Sequence, residues 1–321
     1  MSPSPGILYN DVDDLPALRG FKVPRNGCFG AATLQCLCRL GDFDHIDHDH
    51  LTDVVSTFIR LCRDINSDSI YDYPVSMKDI WDALRKSVRN NAQLRSMFDG
   101  QQMDAEEFLR HMMDLLESDE RTSGLQLFES TTIHLKACVH RMCPRRTVRP
   151  YGPREEDAST ILKLPIVHES VVEDRETLKT IGNMMEMEYG IELNDDFECE
   201  LCIGQKADSG GMYTVREITA WPQVLVVQVV RNDTNDVRFD TAMKIEPTVR
   251  LDTAPGVYEL VSYVDHIGGS SANSGHYVAH CKVGDTWVEF DDDKVNPQRE
   301  LDETSTCNTL MFYQLLSSIR D

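Results

Sequence analysis

Cys28 lies in the run NGCFGAATLQCL, flanked by Gly27 and Gly30 and followed by apolar residues at helical spacing. A sulfur at the start of a helix faces unpaired backbone N–H groups, and the partial positive charge there favours a thiolate. That is the setting of a thiol nucleophile, and equally that of a small apolar cysteine packed in a core. A nucleophile of this kind needs a base and a group that orients the base, and both have candidates far along the chain. His276 opens the stretch HYVAHCKV after the small polar loop IGGSSANSG, and Asp291, Asp292 and Asp293 follow TWVEF. Two adjacent strands joined by a short turn would bring the imidazole beside a carboxylate. Taken singly, a histidine here is also an ordinary packed or solvated one, and the acidic triplet an ordinary solvated turn.

The elements that would carry these residues fall into two groups. Helical periodicity covers Ala31 to Leu40, Leu51 to Ile65, Ser76 to Val88, where Ser-x-x-Asp is a capping signal, and about Asp104 to Glu117. From Thr131 the period becomes two: Thr131 to Ala137, Thr160 to Val167, Met212 to Thr219, Gln223 to Arg231, Val257 to His266, His276 to Val283, Thr286 to Phe290 and Thr309 to Leu315. Helices first and strands later predict an α+β fold, its mostly antiparallel sheet packed against an N-terminal helical lobe, with a ligand cleft where the two meet. Pro144 to Glu156 reads as an exposed connection, Asn232 to Asp240 as a polar loop, and Ile267 to Gly275 as a loop able to admit a substrate. The alternating acids and imidazoles of Asp42 to His50 read as a solvated loop, and Met97, Met103, Met112 and Met113 as core filler.

The chain of 321 residues suffices for one large domain or two ordinary ones, and its formal charge of −22 disfavours nucleic acid and anionic lipid as partners. A basic protein is the better expectation. Met1 to Asn10 has neither a basic start nor an apolar run, and nowhere do ~18 apolar residues follow one another. A soluble, intracellular protein is therefore expected. Its ten cysteines then point to metal or catalysis where clustered, and to apolar packing where scattered, as at Cys62 and Cys307.

Three runs together carry a resemblance. RNGCFGAATLQCL is similar to the cysteine box of the ubiquitin-specific proteases, QQMDAEEFLRHMMDLLE to their glutamine-aspartate box, and YELVSYVDHIGGSSANSGHYVAHCKVGDTWVEFDDDKV to their histidine box, in family order. FECELC followed by WPQVLVVQVVR resembles the strand pair after the family's second metal-binding pair. The resemblance implies a papain-like fold of helical thumb, antiparallel palm and β fingers, cleaving the bond after ubiquitin's C-terminal diglycine. It implies a catalytic domain over 21–318 after a segment 1–20, with the thumb over about 21–125 and the fingers in part of 126–225. By position, Cys28 matches the nucleophile, His276 the base and Asp291 its orienting acid, with Asp292 as an assistant. Asp104, Glu107, Gln102, His266, Gly275 and Tyr277 match the surroundings of the modifier's tail. Asp104 and Glu107, three apart, would share a helix face and meet the tail's arginines, or else simply complement their own helix end.

The chain also departs from the family pattern. Val23 stands where an Asn usually donates to the oxyanion, which leaves Asn26 and the backbone N–H of Cys28 as substitutes. Ala31 and Ala32 replace the Asn and Ser after the nucleophile, and Met103 replaces the Gln before Asp104. Cys199-x-x-Cys202 has zinc-ligand spacing and Cys138 aligns with the first Cys of the family's earlier pair; Arg141, which cannot ligate, stands at its partner's place, with His140 before it and Cys143 two residues on, so Cys143 would be the fourth sulfur of one structural zinc, with no cofactor in catalysis. The alternative is a fingers region that keeps these cysteines without metal. The leading expectation is a deubiquitinase acting on ubiquitinated proteins in the cytoplasm or nucleus. Beside it stand a catalytically weak ubiquitin-binding or scaffold member, and a protease for another ubiquitin-like modifier.

Overall fold

The computed structural model describes residues 18–43, 46, 53–67, 74–90, 95, 98–138, 155–166, 179–194, 212–232, 237–269, 274–298 and 300–316. Cys143, Cys199, Cys202, Met97, the connection up to residue 154, most of 44–52 and the loop centre 270–273 lie outside them.

The chain enters through β1 (Phe21–Lys22), then α1 (Cys28–Cys38) and α2 (Val54–Asn66); β2 (Val75–Ser76) pairs in parallel with β1 and leads to α3 (Lys78–Ser87) and α4 (Ala105–Ser118). Small and apolar residues fill CFGAATLQCLC so completely that every residue of α1 is buried. Asp53 caps α2, accepting from the Ser56 N–H at 2.9 Å, and Asp104 caps α4 through the Glu106 N–H at 2.7 Å. Phe29, Trp81, Phe98 and Phe108 interlock around Gly30, whose Cβ, if present, would lie 2.7 Å from the Trp81 ring.

A four-stranded sheet follows, built from β3 (Ser130–Cys138), β4 (Glu155–Ser159), and, after β5 (Leu162–Pro165) and α5 (Ile181–Glu188), from β6 (Ile191–Asn194) and β7 (Met212–Ala220), in the order β4-β3-β7-β6. The main sheet takes in β5 and β8 (Val224–Val230). After β9 (Met243–Lys244) it continues with β10 (Thr248–Arg250), β11 (Val257–Ile267), β12 (His276–Val283), β13 (Thr286–Asp291) and β14 (Lys294–Gln298), and after β15 (Thr304–Ser305) it closes with β16 (Asn308–Leu315). Its order is β14-β13-β12-β11-β16-β8-β5, with β10 beside β11, and it is antiparallel except where β5 runs parallel to β8.

Strand alternation splits the interior in two. On β8, Val224 and Val226 face the helices with Phe29, Leu34, Phe108 and Phe312, while Leu225, Val227 and Val229 face Tyr258, Tyr263, Met311 and α5. This is the expected α+β fold of helical thumb, antiparallel palm and β fingers. Two points need correction. Glu155 and Glu156 belong to β4, where they pair with His134 and Ile133, not to an exposed connection. α5 and β14 were not expected, while residues 237–240 lie in the expected loop, within which the Arg238 side chain is only 7% exposed. Among the described residues no helix is long and apolar enough to cross a membrane.

Candidate active site

Cys28 is the first residue of α1, 5% exposed, and α1 lies directly against β12. β12 and β13 form a tight hairpin in which Val283 pairs with Thr286 and Ala279 with Phe290, so the start of β12 and the end of β13 emerge together. There His276 Nε2 lies 2.6 Å from Asp291 Oδ1, and the imidazole is also hydrogen-bonded to Cys28. With Nε2 held by Asp291, Nδ1 is the nitrogen left for the sulfur. The contact with Cys28, aided by Asp291 and opposed by burial, pushes the His276 pKa up to about 9. The ammonium of Lys294, 2.9 Å from Asp291 Oδ2, together with His276 holds the Asp291 carboxyl below its usual range.

Asp292 turns the chain at φ 55°, and burial raises its carboxyl above the usual range. Its carbonyl accepts from the Phe21 N–H at 2.7 Å, and a Cβ on Gly20 would stand 2.5 Å from that same oxygen. The N-terminal segment therefore clamps the acidic turn. Donor atoms of His276, Asp291 and Asp292 lie within 4.8 Å of one another, the one such grouping among the described residues. Both Asp291 oxygens are already engaged by the imidazole and Lys294, which is the arrangement of an oriented base, not of a metal centre.

A cavity of about 270 Å³ beside this group is lined by Asp104, Glu106, Arg238, His266, Tyr277 and Thr309, among others. His266 stacks on Tyr277 with ring centroids 4.3 Å apart. Burial pushes the Asp104 carboxyl up to about 6, against the pull of its own cap bond to the Glu106 N–H. Burial first, then Arg238, lowers His266 to about 4. Gln102 Nε2 donates to the Gly275 carbonyl at 2.6 Å, next to His276.

A family model described as "Ubiquitin carboxyl-terminal hydrolase" matches residues 19–313. The chain belongs to the ubiquitin carboxyl-terminal hydrolase family. It is 26% identical over 165 residues to ubiquitin carboxyl-terminal hydrolase 21 of Homo sapiens, covering 48% of this chain and 28% of that protein. To ubiquitin carboxyl-terminal hydrolase 2 of Bos taurus it is 25% identical over 369 residues, covering 98% of this chain and 58% of that protein. The chain thus spans from about a quarter to three fifths of these relatives. The fold is similar to that in the structure of the SAGA Ubp8/Sgf11/Sus1/Sgf73 DUB module bound to ubiquitin aldehyde, at a TM-score of 0.70 and 18% identity, over 96% of this chain and 71% of that one.

For this member of the ubiquitin carboxyl-terminal hydrolase family, the structure brings Cys28, His276, Asp291 and Asp292 together, and sets Asp104, Gln102, His266, Gly275 and Tyr277 around the adjoining cleft. Two expectations about side chains shift. Asp104 is the cap of α4, not a residue on its surface, and Glu106 lines the cleft with it where Glu107 was expected. Glu106 is tied to Arg110 at 2.7 Å and Lys163 at 3.4 Å, which allows it to stay buried. Asn26, at φ 55°, donates its amide to the Gly100 carbonyl at 2.8 Å, so that hydrogen is not aimed at a substrate oxygen, while Val23 borders Gly27. Of the four expected zinc ligands only Cys138 is described: it ends β3, buried, opposite Met212. β6 also ends opposite Met212, at Asn194, so the chain leaves toward Cys143 and toward Cys199 from the same end of the sheet. Arg238 lines the cleft too, and nothing around it in the chain marks it for that place. It is the one cation in a polar stretch, and the group it serves lies 28 residues further along the chain.

Proposed function

We propose that this chain is a cysteine-type ubiquitinyl hydrolase with Cys28 as nucleophile, His276 as base and Asp291 as the group that orients it. The observation that carries the reading is the imidazole held between Asp291 at 2.6 Å and the thiol at the start of α1. His276 takes the proton of the Cys28 thiol, the sulfur attacks the carbonyl of the modifier's last glycine, and the oxyanion is met by the N–H of Cys28 at the helix start. His276 gives its proton to the departing amine, leaving a thioester, then takes one from water, whose oxygen displaces the sulfur and frees the C-terminal carboxylate. Asp291 keeps the ring in one orientation throughout and stabilises it when it carries the extra proton.

Residues 21–318 act as one catalytic unit, and the cleft between α4 and the palm takes the modifier's tail, with Asp104 as its carboxylate partner. A zinc held by Cys138, Cys143, Cys199 and Cys202 would fix the fingertip, and takes no part in the chemistry. Ubiquitinated proteins of the cytosol or nucleus are the substrates. Val23 and the engaged amide of Asn26 favour a second reading, a slow family member that mainly holds ubiquitin. Turnover of ubiquitin with a fluorogenic C-terminal amide, measured beside a panel of ubiquitin-like counterparts, separates the readings. Hydrolysis of ubiquitin lost in His276→Ala supports the enzyme; tight binding without turnover supports the holder, and preference for another modifier changes the substrate.

A further inference from the structure

Arg238 sits between β8 and β9, held at its base by a bridge between Asn232 and Arg238. Its guanidinium is nearly buried, with Nε 3.1 Å from Asp240 Oδ1 and Nη1 donating to the Gly268 carbonyl at 2.9 Å. The same Nη1 lies 3.3 Å from His266 Nδ1. An arginine has only donors to offer. Nδ1 of His266 must therefore be the bare nitrogen, and the ring's single proton sits on Nε2. That nitrogen is buried against the backbone at Ser274 and Gly275. It also stands where a Cβ on Gly275 would come within 2.5 Å. Gly275, at φ 132°, leads straight into His276.

We infer that Arg238 is a positioning residue for His276: by fixing the tautomer of His266 and holding the Gly268 carbonyl, it pins both ends of the 267–275 loop from which the base emerges. The inference rests on His276 being the base. Arg238 touches neither His276 nor the sulfur among its hydrogen bonds, so it acts through the loop. Gln102 fixes the same loop from the thumb side through the Gly275 carbonyl. The charged and titratable groups about the His266 ring are Arg238 itself, His276 and Tyr277 of β12, Arg231 at the end of β8, and Asp104 and Glu106 across the cavity. Burial and the guanidinium together keep the ring neutral, at about 4.

The test is Arg238→Met beside Arg238→Lys in the full chain, with ¹⁵N-histidine NMR and steady-state turnover of a ubiquitin C-terminal amide. The wild type is expected to show His266 as the neutral Nε2–H tautomer down to about pH 5. In Arg238→Met the two tautomers should mix, the titration of His266 should move up toward the ordinary histidine range, and kcat should fall by about tenfold to a hundredfold, as a small misplacement of a reacting group does. KM should change less. Arg238→Lys, which keeps charge and a donor, should restore the tautomer and most of kcat. An unchanged tautomer and kcat in Arg238→Met would overturn the inference. So would a loss of kcat matched by a lower Tm with the His266 signals unmoved, or a lysine that restores Tm without restoring the tautomer. Near-normal turnover in His276→Ala would instead overturn the underlying mechanism, a separate result from any of these.

Discussion

The amide of Gln102 donates to the carbonyl of Gly275 across the cleft at 2.6 Å, joining the approach to α4 to the residue that precedes His276. Thumb and palm are thus tied at the point from which the base projects. Gln102→Ala removes this tie, with an expected fall in kcat of several-fold and a loop that exchanges its amide hydrogens faster. Unchanged exchange at residues 274–276 with unchanged kcat would show that the bond holds nothing in place.

The acidic turn is braced from the N-terminal side. A methyl group on Gly20 would meet the Asp292 carbonyl at 2.5 Å and the Asp293 backbone at 2.8 Å, none of which is a flexible chain end. Gly20→Ala should therefore cost about 1–3 kcal/mol of stability through overpacking and lower kcat by displacing Asp291. Thermal unfolding and turnover check both effects; a variant with wild-type kcat would show that the turn moves without the carboxylate.

The pKa shifts set a pH window. His276 is raised to about 9, so its contribution to stability is complete below its ordinary value of about 6.5 and is lost as pH rises through about 9. Asp291 is lowered, so its contribution is present above about pH 4 and is lost as pH falls toward its depressed value. The thiol contact is the largest cause of the His276 shift. Cys28→Ala should accordingly move the alkaline loss of stability to lower pH by more than Asp291→Asn does. Melting temperatures between pH 6 and pH 10 for the three proteins decide it, and an identical alkaline limb in all three contradicts the coupling.

Asp104 titrates at about 6 in the cleft, held up by burial. A raised carboxyl costs stability where it is charged: the cost is absent below its ordinary value near pH 4 and full above about pH 6. If its charge meets the basic tail of the modifier, KM for a ubiquitin substrate should rise as pH falls through about 6, more than KM for a minimal substrate without arginines. Asp104→Asn keeps the α4 cap, since Asn caps as well as Asp, and should remove that pH dependence while raising KM several-fold at pH 7.5. Equal effects on both substrates would confine Asp104 to capping.

Much of this was legible because the burial patterns are strong. α2 and α4 carry one apolar stripe each, and β8, β11 and β12 alternate or run apolar between short turns, so type and order could be read from periodicity. The site's backbone followed, since a cysteine at a helix start and a histidine opening a hairpin strand are local facts. What could not be read was non-local or weakly patterned. α5 buries only Ile181, Met184 and Met185, and β4 is the charged run EEDAS at a sheet edge. β14 carries Pro297, which local rules reserve for edges, where it sits. The exchange of Glu107 for Glu106 in the cleft depends on Arg110 and Lys163, the second of them on another element, and the role of Arg238 depends on a histidine on a different strand.

Val23 tests the oxyanion. A missing donor costs ~10²–10³ in rate where one has been removed from a protease, and Asn26 gives its amide to Gly100. Val23→Asn is expected to raise kcat with KM little changed; no gain would mean that backbone groups already suffice.

The most direct test of the central claim is the adduct formed with ubiquitin carrying a C-terminal electrophile, located by peptide mass mapping and repeated with Cys28→Ala and His276→Ala. A single covalent adduct on Cys28 is expected, absent in Cys28→Ala and greatly slowed in His276→Ala. An adduct on another cysteine, or labelling that persists in folded Cys28→Ala, would contradict it.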